Sequence, residues 1–238
     1  MDGKKYELSL SRKELVFKSN DLVKEAKYDL TTNEQKLILW AVSKIQRDDK
    51  DFTEYELPVS EFCEMMGIEK CRKNRKNLED VLDRLAIKFF WMDREDGART
   101  RIQWFVTNVI KDSIIRVRFH PDLRPYLLNL TEKFTAYELE TIVHMKSKYS
   151  IRFYELMRCN LWRGKCVVSI SDLKEWLQCA EYGDVNNFKR RVLDVAVKEI
   201  NSLSDLIIDY KPIRTGRCIT DIEFLIDQNP FYSQDHME

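Results

Sequence analysis

Glycine and proline are scarce in this chain, 6 and 5 among 238 residues. That leaves little material for linkers, fibrous repeats or low-complexity tracts, and it excludes the disordered and collagenous classes. Long apolar runs are missing too. The longest, Leu37 to Val42, is far short of the roughly 20 residues that span a bilayer. The opening MDGKKYELSLSRKEL has no signal-peptide-like apolar stretch, so a cytoplasmic protein without membrane contact is expected. Histidine is rarer still: His120, His144 and His236 stand far apart. The six cysteines (Cys63, Cys71, Cys159, Cys166, Cys179, Cys218) include no C-x-x-C pair. Structural zinc usually announces itself by close ligand pairs, so reduced, mostly buried thiols and no metal are expected.

Enzymatic signatures are absent in the same way. Gly164-Lys165 lacks the upstream glycine of a phosphate-binding loop, and no G-x-G-x-x-G occurs. A nicking tyrosine needs a metal-binding histidine pair, which Tyr149 and Tyr154 lack. Asp48, Asp49 and Asp51 read as a solvated loop. The expectation is a protein that is not an enzyme and takes no cofactor. Net charge is zero, 40 basic residues against 40 acidic, which argues against a partner that merely wants a basic protein. The distribution is uneven: residues 61 to 192 carry the positive excess and 193 to 238 the negative one.

What is present is a packed chain, 44% apolar and 34% charged, long enough for two ordinary domains. Thr31 with Glu34, or Thr32 with Gln35, opens an amphipathic helix carrying Ile38, Ala41, Val42 and Ile45. Tyr55 to Val59 reads as a short strand, Ser60 as the cap of helix EFCEMM, and Gly67 as its C-cap. A longer helix follows with Leu78, Val81, Leu82 and Leu85 on one stripe, then period-two residues through Trp91, a turn at Asp96-Gly97, and strands RIQWFVTNVI and SIIRVRFHP. The second half repeats the order. Thr135 with Glu138 reads as a capping box before a long helical region interrupted near Ser147. Then come strand CVVSI, a helix capped by Ser171, the longer helix DVNNFKRRVLDVAVKEINSL, and strands LIIDYKP and CITDIEFLI around a Thr215-Gly216 turn.

Helix, short strand, short helix, longer helix, hairpin is the order of a winged helix, in which the longer helix can enter the major groove and the hairpin can touch the backbone. The predicted class is therefore α+β, with two tandem winged-helix domains related by an internal repeat. On a wheel of 100° per residue, Val185, Val192, Val195, Ala196 and Leu203 cluster on one side of the second longer helix. Opposite lie Asn187, Arg190, Arg191, Asp194, Lys198 and Asn201, side-chain types suited to base edges and phosphates. Lys211, Arg214 and Arg217 make the following hairpin basic. In the first half, KCRKNRK opens the corresponding helix, and Lys73, Lys76, Asp80 and Arg84 face away from its leucines. A third basic cluster, Lys146, Lys148 and Arg152, reads as a backbone contact.

The segments NDLVKEAKYDLTTNEQKLILWAVSKI, FTAYELETIVHMKSKYSIRFYEL and FKRRVLDVAVKEIN resemble the replication initiator (Rep) proteins of iteron-type plasmids, from about residue 15 to 227. The resemblance implies a sequence-specific double-stranded DNA-binding protein that recognises direct repeats at a plasmid origin and recruits the host replication initiator and helicase. It also implies a homodimer, in equilibrium with monomer, that binds an operator inverted repeat and represses its own promoter. Its second recognition helix matches Asn187, Lys189, Arg190 and Arg191 here, with Lys189 beside the apolar stripe and its long stem free to reach a phosphate, and its wing matches Lys211, Arg214 and Arg217. Val195-Ala196 stands where the family commonly has a proline. Residues 1–130 are expected to form a domain for backbone contact and dimerisation, and 131–238 the main sequence-specific domain. The alternatives are a tandem winged-helix transcriptional regulator without a replication role, and a winged-helix protein-interaction module.

Overall fold

The computed structural model describes residues 14–65, 71–93 and 97–232; Gly67 and Asp96 lie outside these. The chain opens with strand β1 (Leu15–Ser19), whose last serine caps helix α1 (Asn20–Glu25) by accepting the Leu22 N–H at 3.1 Å. Helix α2 (Thr32–Ser43) starts at a complete capping box: Thr31 Oγ1 accepts the Glu34 N–H and Glu34 Oε2 accepts the Thr31 N–H. Strand β2 (Tyr55–Pro58) runs directly into helix α3 (Val59–Met65), so Ser60 lies inside the helix rather than at its cap. Helix α4 (Cys71–Ile87) buries Leu78, Val81, Leu82 and Leu85, the expected stripe.

The expected strand RIQWFVTNVI is broken. Strand β3 (Phe89–Asp93) pairs with β4 (Arg99–Gln103) as a separate two-stranded ribbon, and Trp104, 1% exposed, turns the chain into β5 (Phe105–Lys111). Strand β6 (Ile114–Phe119) then pairs with both β5 and β2. A short 3₁₀ turn and helix α5 (Arg124–Leu127) lead to strand β7 (Phe134–Glu138). Here the reading of Thr135 and Glu138 as a capping box is corrected: both lie in β7, antiparallel to β1, with Lys18 opposite Thr135. Thr135 and Tyr137 turn inward, Phe134 packs on Phe17, and the Thr135 hydroxyl donates to Asn20 Oδ1 instead of capping a helix. Strand β7, beyond the expected 130/131 division, thus shares a sheet with the first strand of the chain.

Helix α6 (Glu140–Val143) and helix α7 (Lys148–Arg158) flank the expected interruption, with Ser147 capping α7. Strand β8 (Lys165–Ser169) enters helix α8 (Ile170–Trp176). The cap of α8 is Ser169, which accepts the Asp172 N–H at 3.0 Å, and not Ser171. Helices α3 and α8 have seven residues each and begin 111 positions apart, the structural form of the internal repeat. Helix α9 (Val185–Phe188), a π-helical turn (Lys189–Leu193) and helix α10 (Asp194–Leu203) form one continuous rod. Strands β9 (Leu206–Thr215) and β10 (Cys218–Gln228) close the chain as a hairpin turned at Gly216, whose φ of +63° suits glycine.

The two halves are two winged helices. Sheet β8-β10-β9 in the second matches sheet β2-β6-β5 in the first, and the β3–β4 ribbon is inserted between helix α4 and hairpin β5–β6 in the first half only. They share one continuous core. At their junction, Lys18 on β1 and Glu155 on α7, each 1% exposed, form a buried ion pair at 2.8 Å, to which Tyr137 donates a further hydrogen bond at 2.7 Å.

Candidate nucleic-acid interface

The helix of the second half is built around Phe188, fully buried, with Asp184 capping its start by accepting the Asn187 N–H at 2.7 Å. The π turn carries i→i+5 bonds, which accommodate one more residue than an α turn and shift the phase of everything after it. The buried positions are accordingly Phe188, Val192, Leu193, Ala196 and Ile200. The wheel is corrected at two places. Val195 is 39% exposed, outside the apolar stripe. Asn201 is half-buried and holds Ile208 by both its main-chain groups, donating to the carbonyl at 2.9 Å and accepting the N–H at 2.8 Å. It ties the helix to β9 instead of facing outward.

Arg190, Arg191, Asp194 and Lys198 lie together on the open face, all exposed. Arg190 reaches the Asn187 side-chain oxygen at 3.4 Å. Lys189 is half-buried, with its Nζ 5.4 Å from the centre of the Tyr210 ring on β9. Tyr210 also donates from its hydroxyl to Asp194 Oδ1. Burial, then the bonded Asp194 carboxylate, pushes the Tyr210 hydroxyl pKa above the usual phenol range, so it remains a donor at neutral pH. Tyr210 therefore fixes the distance between helix and hairpin. Sequence reasoning missed it; the available signal was its place one residue before the wing's first lysine. In the hairpin, Lys211, Arg214 and Arg217 are exposed, Lys211 lies across from Glu223, and the Arg214 guanidinium donates to the Arg217 carbonyl at 3.4 Å.

The first half presents less. Lys76 is exposed, and the Lys73 side chain lies outside the described residues. Arg84 is exposed, and its Nε donates to Glu34 at 3.0 Å, joining α4 to α2. Burial opposes ionisation of Glu34, but Lys88, the Thr31 N–H and Arg84 together hold its pKa below the ordinary value.

The third basic cluster does not hold together as a phosphate site. Arg152 is 3% exposed, donating to the Ala26 carbonyl at 2.7 Å and to the Tyr28 hydroxyl at 3.2 Å, so no phosphate reaches it. Lys148 is paired with Asp29 at 2.7 Å, and Lys146 is exposed while its main chain is held by Thr32 and Glu199. Tyr154 is buried against Asp205 and Tyr149 bonds Glu181. Among the described residues, no group of three or more His, Cys, Asp or Glu side chains is gathered as a metal would require, and no helix is long and apolar enough to cross a membrane.

The surviving arrangement is an exposed basic helix face beside a basic hairpin in the second of two winged-helix halves. Residues 15–158 match the family described as Initiator Replication protein, WH1, and residues 169–226 match Initiator Rep protein, WH2. The chain is 29% identical over 230 residues to a replication initiation protein of Escherichia coli, covering 88% of this chain and 69% of that one. It is 24% identical to an uncharacterized 27.6 kDa protein of the same organism, covering 93% of this chain and 98% of that one. In fold it is similar to the Pi initiator protein solved in complex with iteron DNA, with TM-score 0.74 at 18% identity, covering 90% of this chain and 97% of that one. Domains 2 and 3 of RctB share the fold at TM-score 0.51 and 13% identity, covering 84% of this chain and 83% of that one. With the WH1 match alone spanning more than half its length, the chain belongs to the initiator replication protein family, built of two winged-helix domains.

Proposed function

We propose that this protein initiates plasmid DNA replication without catalysis, by binding directly repeated double-stranded sites, the iterons, at the origin. The observation that carries this is the open face of the α9–α10 rod: Arg190, Arg191 and Lys198 exposed, with Lys211, Arg214 and Arg217 on the adjoining hairpin. The Pi initiator, similar in fold, was solved on iteron DNA. Asn187, Arg190 and Arg191 read base edges; Lys189, Lys198, Lys211, Arg214 and Arg217 hold phosphates, and Asp194 orients the face through Tyr210. Residues 131–238 are the base-reading half. Residues 1–130 add backbone contacts through Lys73 and Lys76 and the surface for a homodimer that represses its own promoter at an inverted repeat. The host initiator and helicase are the further partners, and the cytoplasm is the compartment.

Selection of bound sequences from a random duplex pool, read at two salt concentrations, tests this. A site of about two helical turns with half-sites in direct orientation is expected to survive moderate salt. Arg190→Ala or Arg191→Ala should weaken that site by about 1 to 3 kcal/mol, more than Lys76→Ala, while barely affecting unrelated DNA. Equal losses on selected and unrelated duplexes would reduce these arginines to phosphate contacts, and no enrichment at all would sink the reading.

A further inference from the structure

The β3–β4 ribbon has two faces of opposite character. Phe90, Met92 and Ile102 point inward, each 1% exposed, with Phe90 against Tyr28 and Trp104. The outer face shows Phe89 at 41% and Trp91 at 44% exposure, an unusual display of aromatic surface. Each ring carries a guanidinium. The register sets Trp91 opposite Arg101 and Asp93 opposite Arg99. Each arginine leans diagonally, Arg101 over Phe89 and Arg99 over Trp91 with its guanidinium carbon 5.2 Å from the ring centre. Arg99 also lies 3.4 Å from Asp93, an exposed pair that holds it loosely.

The ribbon stands where the halves meet. Phe89, Ile87 and Lys88 line one side of a cleft of about 360 Å³ whose other side includes Gln178, in the turn that leads toward α9. It is inserted between recognition helix α4 and hairpin β5–β6, and the second half has no such insertion, since α10 and β9 are separated by Ser204 and Asp205 alone.

We propose that the outer face of this ribbon is a phosphodiester-binding site that grips the backbone of the duplex between the two recognition helices. Stacking fixes the plane of each guanidinium, so two forked donors are presented in set orientations without first being ordered, the arrangement that favours bidentate phosphate contact. The rings supply that orientation and no base reading, so the contribution is independent of sequence. The inference rests on the DNA-binding reading above and adds a site that neither recognition helix contains.

The test uses the full chain, the duplex it selects and an unrelated duplex of equal length, with binding followed by fluorescence anisotropy from 50 to 200 mM salt. Arg99→Gln/Arg101→Gln should weaken both duplexes by the same factor. Because two phosphates are then left without their cations, the salt slope should flatten by about 1.8, so the deficit shrinks about 12-fold across that range. Arg99→Lys/Arg101→Lys keeps the charge and gives up the stacked plane; it should bind between wild type and the glutamine variant with an unchanged slope. An unchanged affinity of the glutamine variant, with Arg190→Ala still impaired, overturns the ribbon site alone. Loss confined to a single-stranded oligonucleotide also overturns it, and if Arg190→Ala loses nothing either, the DNA-binding reading falls instead.

Discussion

Removing the Lys18 ammonium should be among the most damaging single changes in this protein. Lys18 Nζ donates to both Glu155 oxygens, at 2.8 and 3.0 Å, and each side chain is 1% exposed. Breaking a buried pair by deleting one partner costs about 3 to 5 kcal/mol, because the other charge stays buried. In Lys18→Met, Glu155 keeps the Tyr137 hydroxyl at 2.7 Å, the Tyr28 hydroxyl at 3.5 Å and the Arg152 guanidinium at 3.9 Å, so the loss falls near the lower end. In Glu155→Gln, two cations lose their shared carboxylate, and the loss falls near the upper end. For a chain of this size, about 3 kcal/mol corresponds to a melting-point drop of about 6 to 12 °C.

The assay is urea unfolding followed by tryptophan fluorescence, with Trp104 close to the pair: Lys18 Nζ is 5.9 Å from its ring. A shifted midpoint at constant m isolates stability. Lys18→Met/Glu155→Leu, which removes both charges, should recover most of the single-variant losses, as well-packed apolar replacements of buried pairs commonly do. If Lys18→Met unfolds within about 1 kcal/mol of wild type, or the double variant is no better than the worse single one, the buried-charge argument is wrong.

Val192→Ala should cost about 2 kcal/mol and Val195→Ala under about 0.5 kcal/mol, since Val192 is fully buried and Val195 is 39% exposed; equal losses by chemical unfolding would contradict the π turn. Burial lowers the Lys36 pKa to about 8, opposed by Glu199, so between pH 8 and 10.5 the unfolded chain holds a proton that the folded one has released. Stability relative to Lys36→Met should therefore rise by about 3 kcal/mol across that window, and a flat difference between the two pH profiles would count against it. Tyr210→Phe should leave the fold within about 1 kcal/mol but weaken the selected DNA site by freeing the Asp194 carboxylate on the binding face, checked by melting and anisotropy on one sample.

Local signals were readable and distant ones were not. The Thr31–Glu34 box could be read because both partners lie within one turn. The same T-x-x-E spacing at Thr135 and Glu138 describes a strand, because a partner strand more than a hundred residues earlier takes its backbone groups. Arg190, Arg191, Lys198, Lys211, Arg214 and Arg217 are as exposed as the pattern suggested. A fixed 100° step could not foresee the π turn, so Val195 and Asn201 were misplaced while the arginines, lying within the turn, were not. Arg152 shows the limit of charge as a guide: a basic cluster looks alike whether its members meet phosphate or the Ala26 carbonyl.

The same long-range contacts make the joint between the halves stiff. Thr32 donates from its hydroxyl to the Lys146 carbonyl at 2.9 Å, Gln35 to the Lys148 carbonyl at 3.0 Å, and Glu199 on the α9–α10 rod accepts the N–H groups of Lys146 and Ser147, both at 3.2 Å. Helices α2, α7 and α10 are thus tied through one short segment rather than by a flexible linker. A flexible tether would set an effective concentration that tolerates varied spacing; a fixed joint concentrates it at one separation and one rotation. Each added base pair turns the second half-site by roughly 35° about the duplex axis. Inserting five base pairs between the half-sites should therefore abolish the gain from having two domains, and inserting ten or eleven should restore only a fraction, since the separation then exceeds the joint. Uniform affinity across this spacer series, measured by anisotropy on otherwise identical duplexes, would mean the halves move independently on DNA despite the hydrogen bonds that join them.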